Sequence, residues 1–300
     1  MHKLIALTAL LSAAALPAHA SLKVFACEPE WAALSTEIGG KLVNVYAATT
    51  GGQDPHQIQA RPSLIAKARA ADIAVCTGAE LEVAWMPQVA RQAANPKIQP
   101  GAAGYFETTS VINLLDAPAS LDRSQGDLHA AGNPHIQTDP RNMLIVARAL
   151  AAKFSDLDSA NAAAYAAGYA DFEKRWTAAI LKWEQEAAPL KGMPIAVQHR
   201  SWVYMIKWLG LKEVIALEPK PGVPPNSGYL AQVLDTLQKQ PVKMIIRAAY
   251  EDPRSSEFVS SRSNTPAVML PFTIGGADNA KDLFSLYDET LALMLKAAGQ

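Results

Sequence analysis

The stretch SANAAAYAAGYADFEKRWTAAILKWEQEAAPLKG, Ser159 to Gly192, carries its large apolar residues at Tyr165, Tyr169, Phe172, Trp176, Ile180 and Trp183. The steps of 4, 3, 4, 4 and 3 residues draw one stripe along a helix. Gly192 and Pro194 stop it, so the period predicts one helix of roughly seven turns. Such a stripe reads as packing. Its length suits a backbone laid across two lobes, which limits hinge motion between them. On either side the chain has a different texture. Short apolar runs, LKVFAC, KLVNVYA, ADIAVC and SVINLL before the helix and PIAVQ, EVIAL, VKMIIRA and AVMLPF after it, alternate with helical segments such as Glu30 to Ile38, Pro62 to Ala70 and Tyr229 to Lys239. Nearly continuous apolar strands alternating with helices are the pattern of parallel sheets covered on both faces. The expected fold is α/β: two four-stranded parallel-sheet lobes with flanking helices, 21–157 and 190–300, joined by one long α-helix within 158–189.

The first twenty residues, MHKLIALTALLSAAALPAHA, stand apart. Lys3, an apolar run from Leu4 to Leu16 and Ala18-His19-Ala20 before Ser21 read as a secretory signal peptide. The run is too short to span a bilayer, and no later run is long enough. Val24-Phe25-Ala26-Cys27 is a poor lipobox, because Phe25 is bulky and Cys27 lies beyond the better cleavage site. The expectation is a soluble periplasmic monomer. Removal of the leader takes Lys3 from the 27 basic residues and none of the 28 acidic ones, leaving a net charge near −2. That balance gives no sign of nucleic-acid binding. The two cysteines, Cys27 and Cys76, close the first and third apolar runs, which are neighbours in the common 2-1-3 strand order. A disulfide and a pair of buried thiols both fit.

With the leader gone, four histidines remain: His56, His129, His135 and His199. None falls in the middle of an expected helix or strand. His56 follows the second apolar run, His129 and His135 the fourth, and His199 the fifth. Ligands of open α/β sheets gather at the carboxyl ends of strands, so three loops deliver histidines to one edge. Imidazole is the commonest metal ligand, and several in a polar cleft suit Zn²⁺. The short-spaced motifs HExxH and paired CxxC are absent. His135 lies between Pro134 and Pro140 in GNPHIQTDPRN. Asp139 reads as an N-cap and Pro140 as the first residue of the helix NMLIVARALAAKF, which leaves His135 on a stiff loop just ahead of it.

These segments carry a resemblance. GGQDPHQIQARPS, GNPHIQTDPRN, HRSWVYMIKWLGL and TGAELEVAWMP, in this arrangement around a long central helix, resemble the periplasmic metal-binding proteins of ABC importers, the ZnuA/TroA-like family. The resemblance spans nearly the whole chain after the leader. It implies a metal held between the lobes, with His56, His135 and His199 as ligands. The chain departs from the family pattern twice. Where many relatives place a fourth ligand, often aspartate, it reads LPFTIGGADNAKD, with Thr273 and glycines before Asp278. Where zinc relatives carry a histidine-rich loop, DRSQGDLHAAG holds only His129. His129 is therefore a candidate to complete the site or to receive the ion on its way in. Asp278, Glu251 and water are the other candidates for the fourth position.

The implied function is capture of Zn²⁺ as transported ligand and its delivery to the permease of a metal ABC transporter. Mn²⁺ is the second choice, since it prefers more oxygen ligands. The chain has no P-loop, so the ATPase is a separate protein. Two alternatives from other classes are an exported zinc-dependent hydrolase, for which neither HExxH nor GxSxG is present, and a haem- or siderophore-binding protein of similar build. Cleft volume bears on the last, because an organic ligand needs a few hundred Å³. Among the remaining features, the proline-rich EPKPGVPPNSG could wall the cleft. Glu28, Glu80, Glu82, Glu251 and Asp252 are expected to be mostly solvated or capping. Trp202, Tyr204 and Trp208 are expected in the core.

Overall fold

The computed structural model describes residues 21–118, 126 and 129–299; the leader lies outside these described residues, as does most of DRSQGDL. Strands β1 (Leu22–Ala26), β2 (Val43–Ala47), β3 (Ile73–Cys76) and β4 (Tyr105–Glu107) form one sheet in the order β2-β1-β3-β4. Strands β5 (Pro194–Val197), β6 (Lys212–Ala216), β7 (Ile245–Ala248) and β8 (Ala267–Leu270) form the second in the order β6-β5-β7-β8. All neighbouring pairs are parallel. The strands are apolar throughout because both faces are covered. Val24, Ala26, Ile195, Val197, Ile246 and Ala248 face one core shared by the two sheets. Phe25, Cys27 and Ala74 face an outer cluster under α2 (Pro62–Ala70) and α3 (Met86–Ala93). Ala196 and Ile245 face the equivalent cluster under α7 (Ser227–Lys239).

The shared core is assembled around α5, Ala162–Glu186. Tyr165, Phe172, Trp176, Ile180 and Trp183 are buried in it as the stripe requires. The indole N–H groups find acceptors: Trp176 donates to Pro140 O at 2.8 Å and Trp183 to Asp288 Oδ1 at 2.8 Å. Tyr169 departs from the expectation. It is half-buried, because its hydroxyl reaches out to Glu173 and Arg148. The helix ends at Glu186 and a short 3₁₀ turn, Ala188–Leu190, precedes Gly192. Packed against α5 are α4 (Pro140–Leu157) and α1 (Pro29–Gly39), and from the second lobe α9 (Leu283–Ala298).

Two further expectations are corrected or resolved. The fourth strand is Tyr105–Glu107, not SVINLL. Tyr105, Phe106 and Glu107 take the partners Ala74, Val75 and Cys76 on β3. The chain then turns through a 3₁₀ segment, Thr108–Val111, with Thr109 N–H donating to Thr77 O. Leu114 and Leu115 keep their apolar character because they pack against the shared core from a loop. Cys27 and Cys76, at the ends of the paired strands β1 and β3, are joined by a disulfide with Cα atoms 4.8 Å apart.

Candidate metal centre

The carboxyl ends of both sheets meet at the histidines. His56 sits nine residues past β2, on a loop held at several points. Asp54 Oδ1 accepts from the His56 backbone at 3.0 Å and bonds its Nδ1 at 2.8 Å. The indole of Trp85, from the TGAELEVAWMP segment, donates to Pro55 O at 2.9 Å. Upstream, Gly51 lies against Gly275 and Gly276 of the second lobe. A Cβ there would sit 2.3 Å from backbone atoms, so the approach of the two loops requires glycine.

His135 is fully buried, and neither ring nitrogen has a hydrogen-bond partner. Its backbone is fixed from both sides: its N–H donates to Asn133 Oδ1 at 3.0 Å, and its carbonyl accepts from Thr138 Oγ1 at 3.0 Å. Asn133 is tied across the cleft, its amide donating to Arg200 O at 2.8 Å and its carbonyl accepting from Tyr204 at 2.6 Å. Asp139 caps α4 through Arg141 N–H at 2.9 Å, with Pro140 at the first turn. The ring of Phe272, just after β8, stands edge-on to His135 at 5.3 Å. Trp202, Tyr204 and Trp208 are core residues of α6 (Val203–Leu209) and its start.

His199, two residues past β5, bonds Glu218 Oε2 through Nδ1 at 2.6 Å. Glu218 also accepts from Gly222 N–H at 2.8 Å, so the proline-rich loop folds around the carboxylate that steers His199. Asp54 and Glu218 were not singled out as partners in the sequence. Asp54 had a signal, standing two residues before His56 where an aspartate bonds the following backbone. Glu218, nineteen residues from His199, had none.

All four histidines converge. Ring centres are 5.3 Å apart for His56–His135, 5.5 Å for His56–His129, 6.0 Å for His135–His199, 6.1 Å for His56–His199 and 6.2 Å for His129–His135. A zinc–nitrogen bond of about 2.0–2.1 Å places a ring centre roughly 3.2 Å from the ion, so tetrahedral imidazoles stand about 5.2 Å apart. The five observed spacings exceed this by up to about 1 Å. The tightest donor trio is His56, His129 and His135, with one nitrogen of each within 4.8 Å of the others; His199 is held by its bond to Glu218. Asp278 is exposed and lines neither cavity that reaches the histidines. Glu251 lines the larger cavity beside His56 and His199 and accepts from Ala248 N–H at 2.7 Å.

Electrostatics distinguish the imidazoles. Burial, reinforced by the neighbouring His56, pushes His129 down to about 4. Burial does the same to His135, well below the imidazole range. Burial also works to lower His199, but the Glu218 carboxylate outweighs it and the pKa is raised. At Asp54 burial is outweighed by the hydrogen bond from His56, and the pKa is lowered. Glu251 is pushed up to about 7 by burial, against the pull of His199. Of the acids near β1 and β3, Glu80 is exposed as expected, but Glu28 and Glu82 are not solvated, contrary to expectation. Glu28 and Glu82 are buried with Glu30, because Glu82 accepts Thr77 N–H and Gly78 N–H at 2.6 and 3.0 Å and Glu28 accepts the Thr77 hydroxyl at 3.0 Å. Glu30 accepts the hydroxyl of Thr273 from the second lobe.

The family model of ZnuA, the periplasmic component A of zinc-uptake complexes, matches residues 24–297. The high-affinity zinc uptake system protein ZnuA of Paracoccus denitrificans is 24% identical over 282 residues, covering 83% of this chain and 82% of the relative. The manganese ABC transporter substrate-binding lipoprotein PsaA of Streptococcus anginosus is 23% identical over 275 residues, covering 89% and 84%. Among solved structures, a crystal structure of ZnuA superimposes with a TM-score of 0.75 at 22% identity, covering 91% of this chain and 99% of that one. The Mn-bound periplasmic metal binding protein of Candidatus Liberibacter asiaticus does so at 0.76 and 17% identity, covering 93% and 100%. Two parallel sheets bridged by one helix, histidines gathered where the sheets' carboxyl edges meet, and a match along almost the entire length lead to one conclusion: the chain belongs to the ZnuA family and is a metal-binding, substrate-binding protein of ABC importers, not an enzyme.

Proposed function

We propose that the chain captures one Zn²⁺ ion in the periplasm on His56, His129, His135 and His199 and delivers it, as a monomer, to an importer permease served by a separate ATPase. The observation that carries this reading is the four-imidazole cage, with His135 fully buried and both its ring nitrogens unpartnered. Buried polar atoms are costly unless something bonds them. Nitrogen donors favour zinc, whereas manganese suits oxygen ligands. Asp54 and Glu218 hold the Nδ1 atoms of His56 and His199, so each presents Nε2, and the two carboxylates offset part of the ion's charge. The test is elemental analysis of periplasmic protein followed by titration calorimetry. Replacing any of the four histidines by alanine is expected to weaken zinc binding, and a variant that binds like wild type is not missing a ligand.

One observation favours a second reading, in which the metal arrives bound to a small organic chelator. The cavity beside His56 and His199, walled by Pro224, Pro225, Tyr250 and Glu251, holds about 740 Å³. That exceeds what a bare ion needs and is ample for an organic ligand. Native mass spectrometry of the loaded protein separates the readings: ion mass alone supports capture of the bare ion, and added chelator mass supports the second.

A further inference from the structure

The turn after β3 is held in an unusual backbone. Gly78, Ala79 and Glu80 take φ values of 80°, 48° and 68° in succession, two of them at residues with a side chain. Left-handed geometry at such residues persists only when the surroundings impose it, and it clusters at ligand clamps. Here Glu82 pins the start of the turn by accepting Thr77 N–H at 2.6 Å and Gly78 N–H at 3.0 Å, and the Cys27–Cys76 disulfide anchors the strand beneath it.

What this turn presents is aimed at the His129 loop. The Glu80 carboxylate accepts the backbone N–H of Ala130, the residue after His129, at 2.8 Å. The downstream side of the loop is fixed separately. Gly132 N–H donates to His129 O at 3.1 Å, and Asn133 N–H to Leu115 O at 2.7 Å. Among the described residues the loop at His129 thus has two supports, and one of them comes from the strained turn. Glu80 is exposed and takes no part in the core.

We propose that Glu80 is a positioning residue: through Ala130 it holds His129 in the metal cage and so sets how fast the ion is released. The inference rests on the placement of His129 among the ligands. A charge-assisted hydrogen bond at an exposed site is modest, so Glu80→Ala should speed zinc release roughly three- to tenfold. Glu80→Gln keeps an acceptor oxygen and should restore most of the slow release.

The experiment is stopped-flow release of zinc into excess chelator from full-length wild type, Glu80→Ala, Glu80→Gln, His129→Ala and the double variant Glu80→Ala/His129→Ala, with metal-free melting curves for each. The expected result is faster release in Glu80→Ala, rescue in Glu80→Gln, and no added effect of Glu80→Ala once His129 is gone. Unchanged release in Glu80→Ala, or the same acceleration with and without His129, overturns the role of Glu80 while leaving His129 as a ligand. A His129→Ala protein with wild-type affinity and release removes His129 from the cage, and the role of Glu80 falls with it. A metal-free Glu80→Ala protein that melts well below wild type assigns the turn to stability and also overturns the proposal.

Discussion

Glu30 makes a prediction whose sign is unusual. It sits on α1, fully buried, with the Thr273 hydroxyl of the other lobe donating to its carboxylate. Burial is the largest influence on it and pushes its pKa from 4.5 up to about 7. An acid whose folded pKa is raised binds more protons in the folded state than in the unfolded state between those two values. Stability is therefore full below 4.5 and is lost as pH rises through 7. A separation of about 2.5 units at 1.36 kcal/mol per unit amounts to roughly 3 kcal/mol. Glu30→Gln has the same shape and no charge, and its amide oxygen can still accept from Thr273. The substitution should change little at pH 4.5 and stabilise the metal-free protein by about 3 kcal/mol at pH 8.5. Urea unfolding of wild type and variant at both pH values gives the difference of differences; groups away from Glu30 cancel, and Glu28, whose pKa Glu30 helps to raise, adds to the effect with the same sign. A variant equally stabilised at the two pH values, or destabilised at pH 8.5, would refute a buried carboxylate held against its charge.

Zinc affinity should fall as pH drops, beginning with His199. Its pKa is raised above 6.5, so it carries a proton the ion must displace, whereas His129 and His135 are held neutral well below that range. An affinity flat between about pH 5 and 7.5 would exclude His199 as a ligand, since only an imidazole that titrates in that range makes the affinity vary there. Glu218→Gln weakens the bond that orients the His199 ring, so zinc affinity should drop roughly 10- to 100-fold at neutral pH, while loss of the charge that raises the His199 pKa moves the onset of proton competition to lower pH; calorimetry across pH reads both. The Cys27–Cys76 bridge spans a separation of 49 residues, which in the chain-entropy model is worth about 4 kcal/mol. Cys27→Ser/Cys76→Ser should lose stability of that order in denaturant, and a loss below about 1 kcal/mol would show that the bridge adds little to a core already packed.

What could be read in the sequence was what repeats or sits close together. Seven of the eight strands and the aromatic helix announced themselves through period and composition, since each is buried on a regular face. SVINLL misled because Leu114 and Leu115 pack into the core from a loop, which leaves the same apolar signature as a strand, while Tyr105–Glu107 is only three residues long. The four histidines stood out because all lie past strand ends. Their supports did not. Glu218 reaches His199 through a folded loop, and Glu28 and Glu30 are buried by contacts between segments far apart in the chain. A carboxylate does not show in its own neighbourhood whether the fold will cover it.

The α5 helix has a consequence for how a receptor could tell a loaded chain from an empty one. At 25 residues it is roughly 37 Å long. Phe172, Trp176, Ile180 and Trp183 are buried in a core to which both sheets contribute. A fully buried large apolar side chain is worth about 1.5–3 kcal/mol, so half-uncovering these four by swinging one lobe away would cost on the order of 4 kcal/mol. Cargo therefore cannot be announced cheaply by a change of overall outline. With the ion on the four histidines as proposed, the message has to be local, carried by the order of the loops that bear them. A permease that recognises the filled state must inspect those few loops, and it must supply from outside whatever work their disengagement requires.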